Sequence, residues 1–208
     1  MTLVIYVPFK NGSTMISDRQ NTCFQDLTSE PIDKIVILPN LKAVLGFAGP
    51  TQKCRYLVDQ LRHVGALSSF EESYREVYQR CYGSPELGFR SDDVELIGVT
   101  HKLGGEGLVV HKILGAVMNE VDDKKCAAIG GGTKYIVPQL QLDTLTIDKE
   151  KAEEFGLTLL AYASMIDISV GNPMTYGYNV VSIGTEISPV LTHYPESVDI
   201  KKLLYNFD

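Results

Sequence analysis

An Asn11-Gly12 pair between an apolar stretch and a second strand-like run constrains this chain more than any other local feature. The first stretch, residues 3–9, reads Leu-Val-Ile-Tyr-Val-Pro-Phe, and the second runs over residues 13–17. β-Branched and aromatic residues in such runs favour buried strands, and Asn-Gly between them is a strong hairpin signal. A hairpin here carries Asp18, at the end of its second arm, back to the start of the first. Thr2 stands there, directly behind Met1.

That juxtaposition has chemical content. Met1 is expected to be removed, because a small second residue permits it. Thr2 would then hold a free α-amine and a β-hydroxyl at the end of a strand. An α-amine titrates near pH ~8, so much of it is neutral at neutral pH and can serve as a base. It can activate its own residue's hydroxyl as a nucleophile. Residues 33–38, Asp-Lys-Ile-Val-Ile-Leu, read as a third strand that places Lys34 near its start. An ammonium beside Thr2 favours the deprotonated amine and the alkoxide, and a carboxylate such as Asp18 would hold it in place. Singly, Thr2 suits an ordinary first strand, Asp18 a turn and Lys34 a solvated face; together they form a specific constellation.

Those residues, with Asp18-Arg19-Gln20-Asn21-Thr22 and Leu45-Gly46-Phe47-Ala48-Gly49, resemble the proteasome β-subunit and HslV superfamily of N-terminal-threonine hydrolases. Ile129-Gly130-Gly131-Gly132-Thr133-Lys134-Tyr135 and Ser169-Val170-Gly171-Asn172-Pro173 are similar to its Anbu branch. The resemblance implies an α+β fold, a four-layer αββα sandwich of two stacked antiparallel sheets. It implies catalytic roles for Thr2, Asp18, Lys34, Asp167 and Ser169, with the Gly46 N–H stabilising the oxyanion. Substrate contacts would come from Asn21 and Thr22. A pocket for the side chain before the cut bond would be lined by Asn21, Ile32, Val36, Val44, Ala48 and Gln52. That lining is uncharged, so apolar or small side chains are expected in it. Two departures from the family pattern stand out. Gly131 occupies a place where a serine is usual, and Val170 stands where the second-half motif has another, with Ser169 one position away.

Length and composition agree with one domain spanning residues 1–208. With 44% hydrophobic residues the chain can close a substantial core. No run approaches the ~18 apolar residues of a membrane span, and the N-terminus lacks the pattern of a secretory signal, so a cytoplasmic protein is expected. A net charge of −7 without a Lys/Arg cluster argues against nucleic acid as the main partner. Cys23, Cys54, Cys81 and Cys126 show no metal spacing, and neither do His63, His101, His111 and His193; no metal or cofactor is expected. Helices are expected from Pro50 towards Gly65, after a Ser69/Glu72 capping box, over residues 133–142 and over residues 148–166. Further strands are expected over residues 42–47, 93–100, 107–113, 126–129, 176–183 and 187–193. The Gly130-Gly131-Gly132-Thr133-Lys134 run lacks the phosphate-loop spacing and reads as a strand-to-helix turn. The Tyr74, Tyr78 and Tyr82 ladder reads as core or subunit packing.

The leading expectation is a threonine peptidase acting on peptides or unfolded protein, self-assembled into a ring-like homo-oligomer that encloses the nucleophile. An unfoldase partner is not legible. The same acyl-enzyme could instead serve an amidase or a peptide ligase. A non-catalytic structural subunit is the third reading.

Overall fold

The computed structural model describes residues 2–21, 31–65, 69–84, 88–90, 92–102, 107–142, 144–184 and 190–194. Met1, Thr22, Cys23 and residues 187–189 of the expected last strand lie outside them. The strands are β1 Val4–Phe9, β2 Gly12–Asp18, β3 Ile35–Leu38, β4 Ala43–Ala48, β5 Glu95–His101, β6 Leu108–Leu114, β7 Val117–Val121, β8 Ala127–Ile129, β9 Tyr178–Gly184 and β10 Val190–Tyr194. The helices are α1 Thr51–His63, α2 Phe70–Tyr82, α3 Thr133–Ile136, α4 Lys149–Ile166 and α5 Pro173–Tyr176.

Among the described residues ten strands divide into two five-stranded antiparallel sheets, ordered β10-β9-β2-β1-β8 and β3-β4-β5-β6-β7. Strand alternation sends each sheet's side chains to two faces, and the apolar residues accordingly form three layers. Val4, Tyr6, Met15, Val44, Ile97 and Val181 pack between the sheets. Leu3, Ile5, Val7 and Ile16 pack beneath α4 through Phe155, Leu159 and Leu160. Leu45, Phe47 and Leu96 pack against α1 and α2. Two sheets between two helical layers make the αββα sandwich.

The helix boundaries follow from local chemistry. Ser69 accepts from the Glu72 N–H at 3.2 Å, which forms the N-cap half of the expected capping box at α2. Asp148 does the same for α4, accepting from the Lys151 N–H at 3.0 Å. α1 buries Cys54, Leu57, Val58 and Leu61 along one stripe. The helix expected over residues 133–142 is broken: α3 ends at Ile136, and a tight 3₁₀ turn at Gln139–Gln141 follows Pro138. Proline has no N–H for the ladder and crowds the preceding turn, which accounts for the break. Along α2 the Tyr74, Tyr78 and Tyr82 rings stack at 5.8 and 6.1 Å, with Tyr74 buried and Tyr82 at the surface.

The opening hairpin forms with a different use of its glycine. Phe9 pairs with Gly12, so Lys10 and Asn11 make the turn and Gly12 begins β2. A Cβ on Gly12 would lie 2.3 Å from the Ile183 carbonyl oxygen, so glycine there lets β9 approach β2. β7 was not expected from the sequence. It is an edge strand with mostly exposed residues, joined to β6 through Gly115 in a left-handed conformation, φ 53°.

Candidate active site

The β1–β2 hairpin, the start of β3 and the turn after α4 converge on the carboxylate of Asp18. Asp18 is wholly buried, yet each of its oxygens is occupied. Oδ1 accepts the Leu3 N–H at 2.8 Å. Oδ2 accepts from Lys34 Nζ at 2.6 Å, from the Gln20 N–H at 3.2 Å and from the Gly171 N–H at 3.2 Å. A buried carboxylate is tolerated when its lone pairs are met in this way. One group therefore fastens the peptide just after Thr2, the lysine of the opposite sheet and the loop beyond α4. Thr2 itself is 8% exposed and Lys34 2%, which excludes the solvated-face reading of Lys34. Burial lowers the Lys34 ammonium from its ordinary value, and the Asp18 charge and hydrogen bond oppose that.

The loop after α4 adds Asp167 and Ser169. Asp167 Oδ1 accepts from the Ser169 amide at 2.9 Å and from its hydroxyl at short range. These two hydrogen bonds, aided by Lys134, hold the Asp167 carboxyl below the usual range against a partial desolvation. Val170 is buried in the Leu3 cluster, and Gly171 delivers its N–H to Asp18. The departure from serine at Val170 thus places an apolar anchor against β1.

On the other side of Thr2 lies the turn from β8 into α3, as expected for residues 130–134. Gly130 adopts φ +95°, and a Cβ there would fall 2.0 Å from the Thr2 carbonyl oxygen and 3.3 Å from the Ala48 Cβ. Only glycine permits that approach. Its N–H donates to Glu95 Oε2 at 2.9 Å. The sequence reading did not single out Glu95; a glutamate opening a strand carries no signal of its own.

The expected oxyanion donor and the side-chain pocket need correction. Gly46 sits inside β4, opposite Ile35 of β3 and Ile97 of β5. Because the next N–H, that of Phe47, donates to the Lys34 carbonyl at 2.9 Å, alternation turns the Gly46 N–H towards β5. Its backbone is spent in the sheet. Glycine serves there for close packing, since a Cβ would meet Val4 Cγ1 at 2.5 Å and Met15 Sδ at 2.8 Å. β4 leaves the ladder only after Ala48, at Gly49, whose φ is +132°.

A cavity of about 620 Å³ lies between β3 and α1 and includes Ile32 and Val36 of the expected lining. Val44 and Ala48 instead send their side chains between the sheets, and Gln52 and Asn21 do not border the cavity. Asn21 Oδ1 accepts from Thr51 Oγ at the start of α1, 3.1 Å away. Pro31, Ile35, Ile37, Phe47 and Val58 supply the remaining apolar wall, while Asp33, Arg55, Asp59 and Arg62 make the cavity charged. This cavity is therefore charged, unlike the uncharged lining expected for the side-chain pocket. Helix α1 brings residues 55, 58, 59 and 62 onto one face, whereas the expected lining drew only Gln52 from this helix. Arg62 pairs with Asp59 at 3.0 Å and Arg19 with Asp33 at 3.1 Å; among the described residues Arg55 lacks such a carboxylate.

No cysteine competes as nucleophile near Thr2 among the described residues. Cys54 is buried, its thiol pushed up to about 12 by burial. Nor do the described residues gather three His, Cys, Asp or Glu side chains as a metal site, and none of their helices is long and apolar enough to cross a membrane.

Two stacked antiparallel sheets, flanked by helices and with Thr2 leading the central hairpin, define a proteasome-like fold. Among solved structures the chain resembles the Anbu proteins. A Gly-1 mutant of Anbu from Hyphomicrobium sp. strain MC1 matches with a TM-score of 0.74 at 15% identity, over 99% of this chain and 92% of that one. Anbu (ancestral β-subunit) from Yersinia bercovieri matches with a TM-score of 0.70 at 16% identity, over 98% and 90%. No family model matches the sequence, and no curated protein does. At these identities the likeness establishes the fold, and the chemistry rests on the residues.

Proposed function

We propose that this chain is a threonine-type peptidase that cleaves peptide bonds through an acyl-enzyme on Thr2. The observation that carries the proposal is the Asp18 carboxylate, which holds both the Leu3 N–H and Lys34 Nζ. A lysine buried in this way is an expensive group to place at a sheet end unless its charge is used.

With Met1 removed, the Thr2 amine takes the proton of Thr2 Oγ, directly or through a water, as Oγ attacks the substrate carbonyl. Lys34 provides a compact positive charge for the developing alkoxide. The backbone N–H at Gly49, where β4 leaves its ladder beside the Gly130 turn, is our choice of oxyanion donor in place of Gly46. The C–N bond then breaks, the amine leaves with the proton, and water hydrolyses the ester to regenerate Thr2. Asp167 and Ser169 steady the amine and the attacking water. The cavity between β3 and α1 receives the side chain before the cut bond; its apolar wall and Arg55 favour a residue with an apolar stem and an acidic end. An amine that attacks the same intermediate in place of water would make the protein a peptide ligase, whereas water acting on a narrow amide substrate would make it an amidase.

Enclosure by a second copy and its neighbours follows from the hazard of an open nucleophile, so a cytoplasmic homo-oligomer is part of the reading. Light scattering beside a turnover assay tests this part: activity should reside in the assembled form, and a fully active monomer would remove it. For the chemistry itself, Thr2→Ala should abolish turnover of short fluorogenic peptides without unfolding the protein. Retained turnover in that variant would refute the proposal.

A further inference from the structure

Glu95 opens β5, and alternation with Ile97 and Val99 turns its side chain to the space between the sheets. Its face-mates Ile97 and Val99 are apolar and His101 stands at the far end of the strand, whereas Glu95 is a carboxylate at the end of the layer that holds Thr2. It stands opposite Ala48 in register, and its Oε2 accepts the Gly130 N–H at 2.9 Å. Glu95 belongs to one sheet and Gly130 to the connection leaving β8 of the other, so this bond ties the sheets together at the Thr2 end. The tie has no slack. Gly130 is in a left-handed conformation, φ +95°, with the position of a Cβ only 2.0 Å from the Thr2 carbonyl oxygen. Ile129, the residue before it, pairs with Val4 in β1, so the turn cannot retreat without disturbing the nucleophile strand.

We propose that Glu95 is a positioning residue for the nucleophile: its carboxylate clamps the Gly130 turn against the Thr2 backbone and so fixes the orientation of the amine and hydroxyl borne by Thr2. The inference rests on the threonine-hydrolase reading. A carboxylate suits the task because a hydrogen bond to an ionised acceptor is shorter and roughly twice as strong as a neutral one. Misplacement of a reacting group by about 1 Å can cost about 10²-fold in rate.

The test compares Glu95→Ala and Glu95→Gln with the unaltered protein, by steady-state kinetics on fluorogenic peptides, by melting temperature, and by hydrogen exchange at the Gly130 amide. Glu95→Ala should lower kcat about 10²-fold with KM unchanged. It should also expose the Gly130 amide to exchange. Glu95→Gln keeps an acceptor oxygen and should restore most of the rate and the protection. Wild-type kcat in Glu95→Ala, or equal losses in both variants that track their melting temperatures, would overturn the positioning role. If the unaltered protein shows no Thr2-dependent turnover, the hydrolase reading fails and this inference with it. An active enzyme indifferent to Glu95→Ala refutes the inference alone.

Discussion

A Lys34→Met substitution removes the ammonium at the centre of the site while keeping most of the side-chain length. Lys34 and Asp18 are 2% and 0% exposed and lie 2.6 Å apart, so the change strands a carboxylate in the interior. Breaking a buried pair from one side costs about 3–5 kcal/mol. Here the backbone N–H groups of Leu3, Gln20 and Gly171 still bind Asp18, which places the cost near the lower end, about 3 kcal/mol. For a chain of this size that lowers the melting temperature by about 6–12 °C. Turnover should fall further than stability explains, by roughly 10²–10³, because the developing alkoxide loses its positive neighbour. Adding Asp18→Asn removes the stranded charge, so the double variant should regain part of the melting temperature and none of the activity. Lys34→Arg should rescue neither, since the fork of a guanidinium does not fit the space of a buried ammonium. The assay is peptide turnover well below each variant's melting temperature. A Lys34→Met protein that melts within about 1 °C of the parent and turns over normally would refute the argument, because it would give Lys34 the roughly 0.5 kcal/mol weight of a surface residue.

The remaining expectations concern specificity and acid stability. Arg55→Glu should lower kcat/KM for peptides with an acidic residue before the cut bond by about fivefold, the scale of one exposed ion pair, and raise it for basic ones; unchanged selectivity would remove the cavity between β3 and α1 from the substrate site. His111 is 3% exposed, 5.8 Å from the Phe70 ring, and burial lowers its pKa despite Glu71 and Glu120. The unfolded chain therefore binds a proton that the folded chain resists, and stability falls as the pH drops through 6.5. Melting temperatures at pH 7.5 and 5.5 should show a smaller acid-induced drop in His111→Phe than in the parent, and equal drops would contradict this.

The core hairpin was legible because β1 is an apolar, β-branched and aromatic run followed by an Asn-Gly turn signal, and the capping residues marked α2 directly. β7 was not, since an exposed edge strand such as Val117–Val121 carries no alternating pattern to read. The expected helix over residues 133–142 is too long because it runs through Pro138, which breaks the ladder after α3. Within the site, the convergence of Thr2, Asp18 and Lys34 followed from hairpin reach and from the start of a third strand. The engagement of the Gly46 N–H did not, because only the pairing of β4 with β3 and β5 shows that it is already used. The lining of the cavity between β3 and α1 departs from the expected pocket for a similar reason. Val44 and Ala48 share a strand face with Gly46, and that face meets the other sheet, whereas Phe47 looks towards α1. Glu95 acquires meaning only through Gly130, a residue of the other sheet brought near by stacking and not by sequence.

Intact-protein mass spectrometry combined with peptide mapping, before and after treatment with a peptide epoxyketone or a β-lactone, tests the threonine mechanism most directly. The active protein should begin at Thr2, gain one inhibitor mass on that residue, and lose turnover in proportion to labelling. Full activity in protein that still carries Met1, or complete inhibition with the adduct on any other residue, would contradict it.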